Sequence, residues 1–360
     1  MPPLVPPAFR LVQLAACSEL SAKRASALNA AVSNVEDWNE VVRLGVFHKA
    51  LPLLHTHLRD HPGVPDNVRS FVLNHARVSS RLSLLLMSEM EQIGSALEHA
   101  GVSYLVLKGP SLSQAYGGLS RRPFVDNDLL IEPADFGRVE DVLLSMGFRE
   151  RKRSDFQQWG YLHVHGEYTF GRTVGDLGST VDVHTRLAPF GYGYAPDVAA
   201  LLSRARPVPV SRTQVPSLSW DDTVVALSVN ALKDQWDRLR LAADIAAVAE
   251  FVDDWDGVLA KASNHRVRRA LFLALLVSED VADGRFPPEL LDQARQDLRA
   301  RRLAEYVWTT WCEDEATRPL RDRAKLTLLV QDGLVGQLRY AAYTAVRRIS
   351  ERLVATTAPQ

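Results

Sequence analysis

The sequence predicts an α+β protein, mostly helical overall, with a small mixed β-sheet between helical N- and C-terminal segments. Apolar residues recur three and four positions apart as far as His99, which is helical spacing. From Gly101 to about residue 190, β-branched and aliphatic runs are bounded by glycine and proline, which is typical of short strands and turns. Helical spacing returns at Asp221 and persists to about Val354. The predicted domains are residues 1–99, 100–215 and 216–360.

Composition and charge exclude several broad classes of protein. The chain has 360 residues, 46% of them hydrophobic, which is enough for a substantial core. Its 42 Lys and Arg nearly balance its 43 Asp and Glu, so no overall charge attracts nucleic acid or membrane, and we expect no sequence-specific DNA binding. Cys17 and Cys312 form no disulfide or zinc pattern, and the N-terminus does not resemble a signal peptide. The apolar run 270–277 is far shorter than the roughly 20 residues that cross a membrane, so we expect a cytoplasmic protein without a membrane span.

The central segment contains the predicted strands. In chain order, we predict a strand over Val102–Leu107, a turn at Lys108–Pro110, a helix over Ser111–Tyr116, a strand over Val125–Ile131, a helix over Ala134–Met146 that Gly147 closes, and strands over Tyr161–Phe170 and Thr180–Leu187 joined by a glycine-rich connection. On either side of these elements, the N-terminal helices break at Pro62–Gly63, a linker is predicted over Pro207–Ser219 and a helix over Val224–Val252.

Two carboxylates in one predicted strand are the main chemical signal. Asp126 and Asp128 are two positions apart, so in a strand both project from the same side and repel each other. Asp182 alternates with valines in a later predicted strand, beside His184. Mg²⁺ prefers oxygen ligands, and three acids on neighbouring strands can hold two metal ions for displacement at phosphorus. We therefore expect Asp126, Asp128 and Asp182 to bind Mg²⁺ or Mn²⁺.

The turn before the short helix is a candidate phosphate site. Gly109 allows a ligand close to the backbone, and Pro110 suits the first position of a helix. Lys108 would add a positive charge and Ser111 a hydroxyl, while Arg122 lies near enough in sequence to reach the same phosphates. An NTP is the ligand that this combination suggests.

These motifs together resemble the DNA polymerase β-like nucleotidyltransferase superfamily and, more narrowly, the bacterial family of uncharacterised nucleotidyltransferases. The resemblance covers about residues 37 to 310. The matching residues are Leu107–Gly109, Tyr116, Arg122–Pro123, Asp126–Leu130, Asp182–His184 and, more weakly, Asp37–Trp38, His48–Leu54, Lys233, Trp236, Arg238–Leu239 and Asp244–Ala246.

The resemblance implies an enzyme that moves an NMP from an NTP to a hydroxyl group of an acceptor and releases pyrophosphate. The acceptor could be a small molecule, a peptide or protein, or an RNA end. His184, Lys233 and Asp244 are candidate acceptor residues, because they lie in or near the matching motifs. Asp182 is a candidate base for the acceptor hydroxyl as well as a metal ligand.

The sequence departs from the family pattern at two places. Gly109 is followed by Pro110, where the superfamily usually has serine or glycine, so one backbone donor is missing. Asn230 and Asp234 occupy positions where the family often has histidine. These departures leave open a change of acceptor, or a nucleotide-sensing module that binds a partner without turnover.

Two weaker signals leave further alternatives. His163, His165 and Glu167 alternate in a predicted strand and could bind a transition metal, although a cleft or solvent-facing position is the simpler interpretation. Between Arg318 and Arg352, eight basic residues outnumber three acidic ones. That excess suggests a toxin-like enzyme that modifies tRNA, with only Tyr340 and Tyr343 as possible base-stacking residues, or simply a solvated helix face.

Overall fold

The computed structural model describes residues 5–150, 164–175, 177–312 and 326–357. Its N-terminal part is helical, as the sequence predicts, and Pro62–Gly63 lies between the fourth and fifth helices. These helices are α1 (Pro7–Ala15), α2 (Ala22–Val32), α3 (Trp38–Phe47), α4 (Leu51–Leu58) and α5 (Asp66–His99).

The strands of the described residues form one seven-stranded mixed sheet. They are β1 (Tyr104–Val106), β2 (Asn127–Ile131), β3 (Arg149–Glu150), β4 (Glu167–Val174), β5 (Leu177–His184), β6 (Arg206–Val210) and β7 (Thr213–Ser217). The spatial order is β3-β4-β5-β2-β1-β7-β6, with β2 parallel to β5, β1 parallel to β7 and the other pairs antiparallel. The mixed sheet and the prevalence of helix confirm the predicted α+β class.

Helices cover both faces of this sheet. The helices that follow β1 are α6 (Pro110–Ala115), α7 (Phe136–Ser145), α8 (Val198–Leu202) and α9 (Trp220–Lys233). Alternate strand residues Leu129 and Ile131 pack with α5 and α7, whereas Leu130 faces a separate cluster that includes Leu201 of α8. The strict alternation follows from the two-residue period of a strand. This alternation determines on which face of the sheet each β2 side chain lies.

The remaining helices form a C-terminal bundle. They are α10 (Leu239–Ala249), α11 (Trp255–Asn264), α12 (Arg268–Ala282), α13 (Pro288–Gln296), α14 (Leu298–Cys312) and α15 (Gly333–Thr357). The apolar run 270–277 lies in α12 and is buried, as predicted. Among the described residues, no helix is long and apolar enough to cross a membrane.

The largest core joins the two helical segments. It includes α1 residues such as Phe9 and Leu11 together with α12 residues such as Leu271 and Leu275. Arg24 reinforces this junction, because its buried guanidinium donates to the carbonyls of Gln13 and Val281 and pairs with Asp283. The first and last parts of the chain therefore share one apolar interior.

The predicted limits of β4 and β5 are wrong. The structure pairs these strands through the glycine-rich connection, from Glu167↔His184 to Val174↔Leu177. Gly175 makes the turn with φ +60°, whereas Gly171 pairs within β4. Residues 161–163, including His163, lie outside the described residues, and His165 precedes β4.

The predicted linker over Pro207–Ser219 is also wrong, because these residues form most of the β6–β7 hairpin. Pro207 and Pro209 are tolerated because β6 is an edge strand, where a missing N–H need not leave a neighbouring strand unpaired. Val208 and Val210 alternate with these prolines along the strand and are buried, as the two-residue period of a strand requires. The sheet therefore continues to Ser217, beyond the predicted boundary at residue 215.

The predicted helix over Val224–Val252 is two helices, α9 and α10, separated at residues 234–238. Gln235 and Trp236 have φ of +58° and +52°, which an α-helix cannot contain. Trp236 is fully buried and its carbonyl accepts a hydrogen bond from Trp311 Nε1 at 2.6 Å. The break therefore coincides with burial of the Trp236 indole. Neither Gln235 nor Trp236 is a glycine, the residue that usually adopts a positive φ.

Candidate active site

The predicted acids lie at the start of β2 and on the strand beside it. In the parallel pairing of β2 with β5, Asp128 is directly opposite Asp182. Asp126 precedes the first residue of β2, so it lies outside the strand in which we predicted it. The structure thus places the predicted acids on adjoining parts of the sheet.

A contact with α5 fixes the segment that carries Asp126. The Phe124 N–H donates to the Ser83 hydroxyl at 2.8 Å, and the same hydroxyl lies 2.8 Å from the Phe124 carbonyl. Asn127 donates from its amide to the Leu86 carbonyl of α5 at 3.1 Å. Asn127 thus points into the protein, and its two acidic neighbours are left on the other side of the chain.

Asp128 is buried between the Lys108 ammonium and the His184 imidazole. Its Oδ1 lies 3.5 Å from Lys108 Nζ and 3.0 Å from His184 Nε2. Burial alone would raise the pKa of Asp128, but Lys108 and the hydrogen bond with His184 outweigh burial and lower it. Asp128 is therefore an anion throughout the physiological pH range.

Asp126 and Asp182 differ from Asp128 in their electrostatics. Burial and the charge of Asp128 raise the pKa of Asp126. Burial also raises the pKa of Asp182, against the lowering effect of a hydrogen bond that the Thr169 hydroxyl donates at 2.5 Å. Crowded carboxylates of this kind are stabilised when a cation neutralises them.

The donor atoms at this site suit a hard divalent cation. All three side chains offer carboxylate oxygens, and two of them project from directly paired strand positions. Within the described ranges, however, no group of three or more His, Cys, Asp or Glu side chains is already arranged around one point as a metal site. The Lys108 ammonium beside Asp128 partly neutralises the acids.

The predicted phosphate turn has the expected backbone. Gly109 has φ +45°, and Pro110 is the first residue of α6. A Cβ at Gly109 would lie 3.2 Å from the Phe124 ring, so both the conformation and the space favour glycine. The Ser111 hydroxyl is buried and accepts from the Arg206 guanidinium, while Lys108 is directed to Asp128. Lys108 is therefore shared with Asp128, whereas the Ser111 hydroxyl can still donate its proton.

Arg122 and Asp244, predicted for phosphate and acceptor binding, pair with each other. Arg122 Nε donates to Asp244 Oδ1 at 2.7 Å and Arg122 Nη2 to Oδ2 at 2.8 Å. The Tyr116 hydroxyl donates to the same carboxylate at 3.0 Å. All three residues are buried, so this bidentate pair joins the loop before β2 to α10.

Lys233 and His184 lie together at a cleft that adjoins Asp128. Lys233 Nζ donates to Glu167 Oε2 at 2.6 Å, and His184 Nδ1 lies 3.8 Å from the same oxygen. Burial would raise the pKa of Glu167, but Lys233 and His184 outweigh it and lower the pKa. The sequence alone groups Glu167 with His163 and His165. The pairing of Glu167 with Lys233 depends on the β4–β5 register, which the sequence did not predict.

We call this space the His184 cleft. It is narrow, with a cavity volume of about 20 Å³, and its polar lining includes Lys108, Glu167, His184, Asn230 and Lys233. Its apolar wall comes from α9 and from the residues that directly follow β1 and β7, such as Leu227, Leu107 and Leu218. An apolar wall with a few polar groups is typical of small-ligand sites.

A comparison with known families agrees with this geometry. Residues 34–283 match the sequence profile of a family described as uncharacterised nucleotidyltransferase. The chain belongs to this family. No curated protein matches the chain, and no solved structure does. Family membership confirms the predicted resemblance and supports nucleotidyl transfer as the general reaction.

Asn230 is one of the two positions at which this chain departs from the family pattern. Asn230 lines the His184 cleft, where the family pattern leads us to expect histidine. Its amide donates to Asp234 Oδ2 at 3.1 Å, so the two departing positions contact each other. An amide at position 230 changes the hydrogen-bonding character of the cleft wall.

The aromatic residues of the C-terminal region do not form a stacking surface. Tyr340 and Tyr343 are buried, with ring centroids 5.6 Å from Tyr192 and 5.2 Å from Phe190, respectively. Four of the eight basic residues, at positions 318, 321, 323 and 325, lie outside the described residues. The tyrosines therefore serve packing of α15 and do not support the tRNA hypothesis.

Proposed function

We propose that this nucleotidyltransferase transfers an NMP from an NTP to a hydroxyl group of an acceptor, with Asp126, Asp128 and Asp182 as metal ligands. The observation that most supports this proposal is the direct pairing of Asp128 in β2 with Asp182 in β5. Asp126 lies two residues before Asp128 in the chain. Mg²⁺ or Mn²⁺, when bound, would supply Lewis-acid stabilisation of the phosphates. Asp182 would accept the proton of the acceptor hydroxyl as its oxygen bonds to the α-phosphorus and the bond to pyrophosphate breaks.

The other residues bind and orient the nucleotide in this proposal. The His184 cleft begins at Lys108, next to the Gly109 turn, and therefore suits the NTP. Lys108 lies close enough to Asp128 to contact phosphate oxygens held near that carboxylate. The Glu167–Lys233 pair gives the cleft wall one donor and one acceptor group with fixed positions.

Label transfer from α-labelled NTPs tests this proposal. Each NTP is incubated with the protein, Mg²⁺ or Mn²⁺ and cell extract as a source of acceptor, and labelled product and pyrophosphate are measured. The Asp126→Asn/Asp128→Asn variant should lose at least about 1,000-fold in rate, since removing such electrostatic stabilisation has costs of this order. The control Asp253→Asn/Asp256→Asn, which changes two exposed acids, should keep full activity. Equal activity in both variants would refute the assignment.

A nucleotide-sensing module is the second candidate function. It is favoured by the phosphate turn, where Pro110 has no N–H, Ser111 already bonds Arg206, and Lys108 contacts Asp128. NTP binding without any labelled product, and insensitive to Asp182→Ala, would support this candidate. Loss of both binding and turnover in Asp182→Ala would support the enzyme.

A further inference from the structure

A second cleft adjoins the other end of the Asp126–Asp128 pair. Its cavity volume is about 100 Å³. We call it the basic cleft. Its polar lining residues are Lys49, His75, Ser79, Tyr116, Arg121, Arg122 and Arg240. Val125, the neighbour of Asp126 in the chain, forms part of the same wall.

Two cations of the basic cleft have no acidic partner. Among the residues that the structure describes, no carboxylate lies within 4.0 Å of the Lys49 ammonium or the Arg240 guanidinium. Arg122, in the same wall, is satisfied by its bidentate pair with Asp244. The cleft thus holds an excess of positive charge that Asp126 and Asp244 offset only in part, from beyond ion-pair distance.

This arrangement of charge is unfavourable without a ligand. Burial, followed by the charge of Arg122, lowers the pKa of Arg240 to about 10. Partial burial and the charges of Arg240 and Arg238 lower the pKa of Lys49. Lys49 also has φ +58°, a conformation that costs energy in any residue with a Cβ. Unpaired cations held close together in a cleft are the usual environment of a bound anion.

The basic cleft and the His184 cleft are separate spaces beside the same acids. Among the described residues, they share no lining residue. The His184 cleft adjoins Asp128 through Lys108 and His184, whereas the basic cleft adjoins Asp126 through Val125. Displacement at phosphorus needs the nucleophile and the leaving group at different positions around the reacting atom. Two clefts at one set of acids satisfy this need.

We propose that the basic cleft binds a phosphate or carboxylate group of a small acceptor molecule and presents its hydroxyl to the three acids from the Asp126 side. The inference rests on the proposed function, in which the His184 cleft takes the NTP. It specifies the class of acceptor as a hydroxylated small acid. Polycationic acceptors are excluded, because Lys49, Arg121 and Arg240 would repel them.

Binding of inorganic phosphate in the presence of a nucleotide analogue tests the proposal. Wild-type protein is saturated with Mg²⁺ and α,β-methylene-ATP, which cannot transfer its NMP, and is then titrated with inorganic phosphate by calorimetry. Lys49→Met/Arg240→Met should weaken phosphate binding by about tenfold or more, since hydrogen bonds to charged groups are lost. Its affinity for the analogue should remain as in wild type.

Matched controls separate charge from folding. Lys23→Met/Arg301→Met removes the same two residue types from exposed positions on α2 and α14 and should leave both affinities unchanged. Lys49→Gly removes the ammonium while suiting the positive φ, so it should weaken phosphate binding without lowering Tm.

The outcomes distinguish the two proposals. Loss of analogue affinity in the Lys49/Arg240 variant would overturn the inference, because the basic cleft would then hold the triphosphate. Equal phosphate affinity in wild type and that variant would also overturn it. Failure of the analogue to bind wild type would refute the proposed function itself, and the titration without nucleotide would still decide whether the cleft binds anions.

Discussion

Lys108 is the residue on which the chemistry of the site most depends. Its ammonium is 3.5 Å from Asp128, next to the turn proposed for the phosphates. Burial would lower the pKa of Lys108, but the charges of Asp128, Asp234 and Asp126 outweigh burial and raise it. Lys108 is therefore always charged and can neutralise either a carboxylate or a phosphate.

Lys108→Met should change the requirements for metal and nucleotide in opposite directions. The Mg²⁺ concentration for half-maximal activity should fall, because the ammonium no longer competes for Asp128. KM for the NTP should rise about tenfold or more, because a charged donor to phosphate is lost. Initial rates over a grid of Mg²⁺ and NTP concentrations measure both, with Lys23→Met as the control. An unchanged KM would show that Lys108 only neutralises Asp128.

The sequence predicted the chemistry at this scale better than the contacts. Asp126, Asp128 and Asp182 were singled out because acids in apolar strands are costly, and the fold places Asp128 opposite Asp182, with Asp126 just before β2. The pairing of Arg122 with Asp244 could not, because it joins residues 122 positions apart and depends on how α10 packs. Lys49 lies in a segment that resembles the family, whereas Arg240 lies just outside one, and only the fold shows that they share a cleft.

At the scale of elements, the break between α9 and α10 positions the cleft wall. Asn230 and Lys233 lie in the last turn of α9, and Arg240 lies in the first turn of α10. Without the break at Gln235 and Trp236, α9 and α10 would be one continuous helix. The break separates Asn230 and Lys233 of the His184 cleft from Arg240 of the basic cleft. The sequence has no glycine or proline there, so the helical spacing alone predicted one long helix. The β6–β7 hairpin was missed for the opposite reason, because its prolines indicated a linker.

Gln235→Gly should stabilise the protein. Gln235 has φ +58°, which glycine adopts without the strain that a side chain causes. Relief of about 1–2 kcal/mol of strain exceeds the roughly 0.5–1 kcal/mol entropic cost of a glycine, so the free energy of unfolding should rise by about 0.5–1 kcal/mol, measured by urea denaturation. Gln293→Gly, at an exposed position inside α13, should instead cost about 1 kcal/mol. A loss of stability at position 235 would show that the side chain has a packing role.

At the scale of the whole molecule, the Arg122–Asp244 pair connects the sheet to the C-terminal helices. Removal of one partner leaves a buried charge, so Arg122→Met should cost about 3–5 kcal/mol. The double variant Arg122→Met/Asp244→Leu should cost less than the sum of the single variants. Chemical denaturation of the four proteins measures this coupling. The exposed pair Arg43–Glu40 is the control and should couple by at most about 0.5 kcal/mol.

The same pair predicts a dependence of stability on pH. Burial would raise the pKa of Asp244, but Arg122 and its hydrogen bonds outweigh burial and lower it. The pair therefore stabilises the folded state above the unfolded pKa of about 3.9, and this stability is lost as the pH falls through the folded pKa. Asp244→Asn should be less stable at pH 7, with a smaller further loss on acidification. An acid-unfolding profile parallel to that of wild type would contradict this role.

The order of synthesis gives the Arg122–Asp244 pair one more consequence. Asp126 follows Arg122 by four residues, and the partner of Arg122 is translated 122 residues later. Lys233, the partner of Glu167, also emerges long after the sheet strands. A nascent chain that ends before α10 therefore has the acids and their contacts with α5 but lacks Asp244, the partner of Arg122. Ribosome-bound chains should gain nucleotide binding only after α10 has left the exit tunnel, so catalytic competence is acquired late in translation.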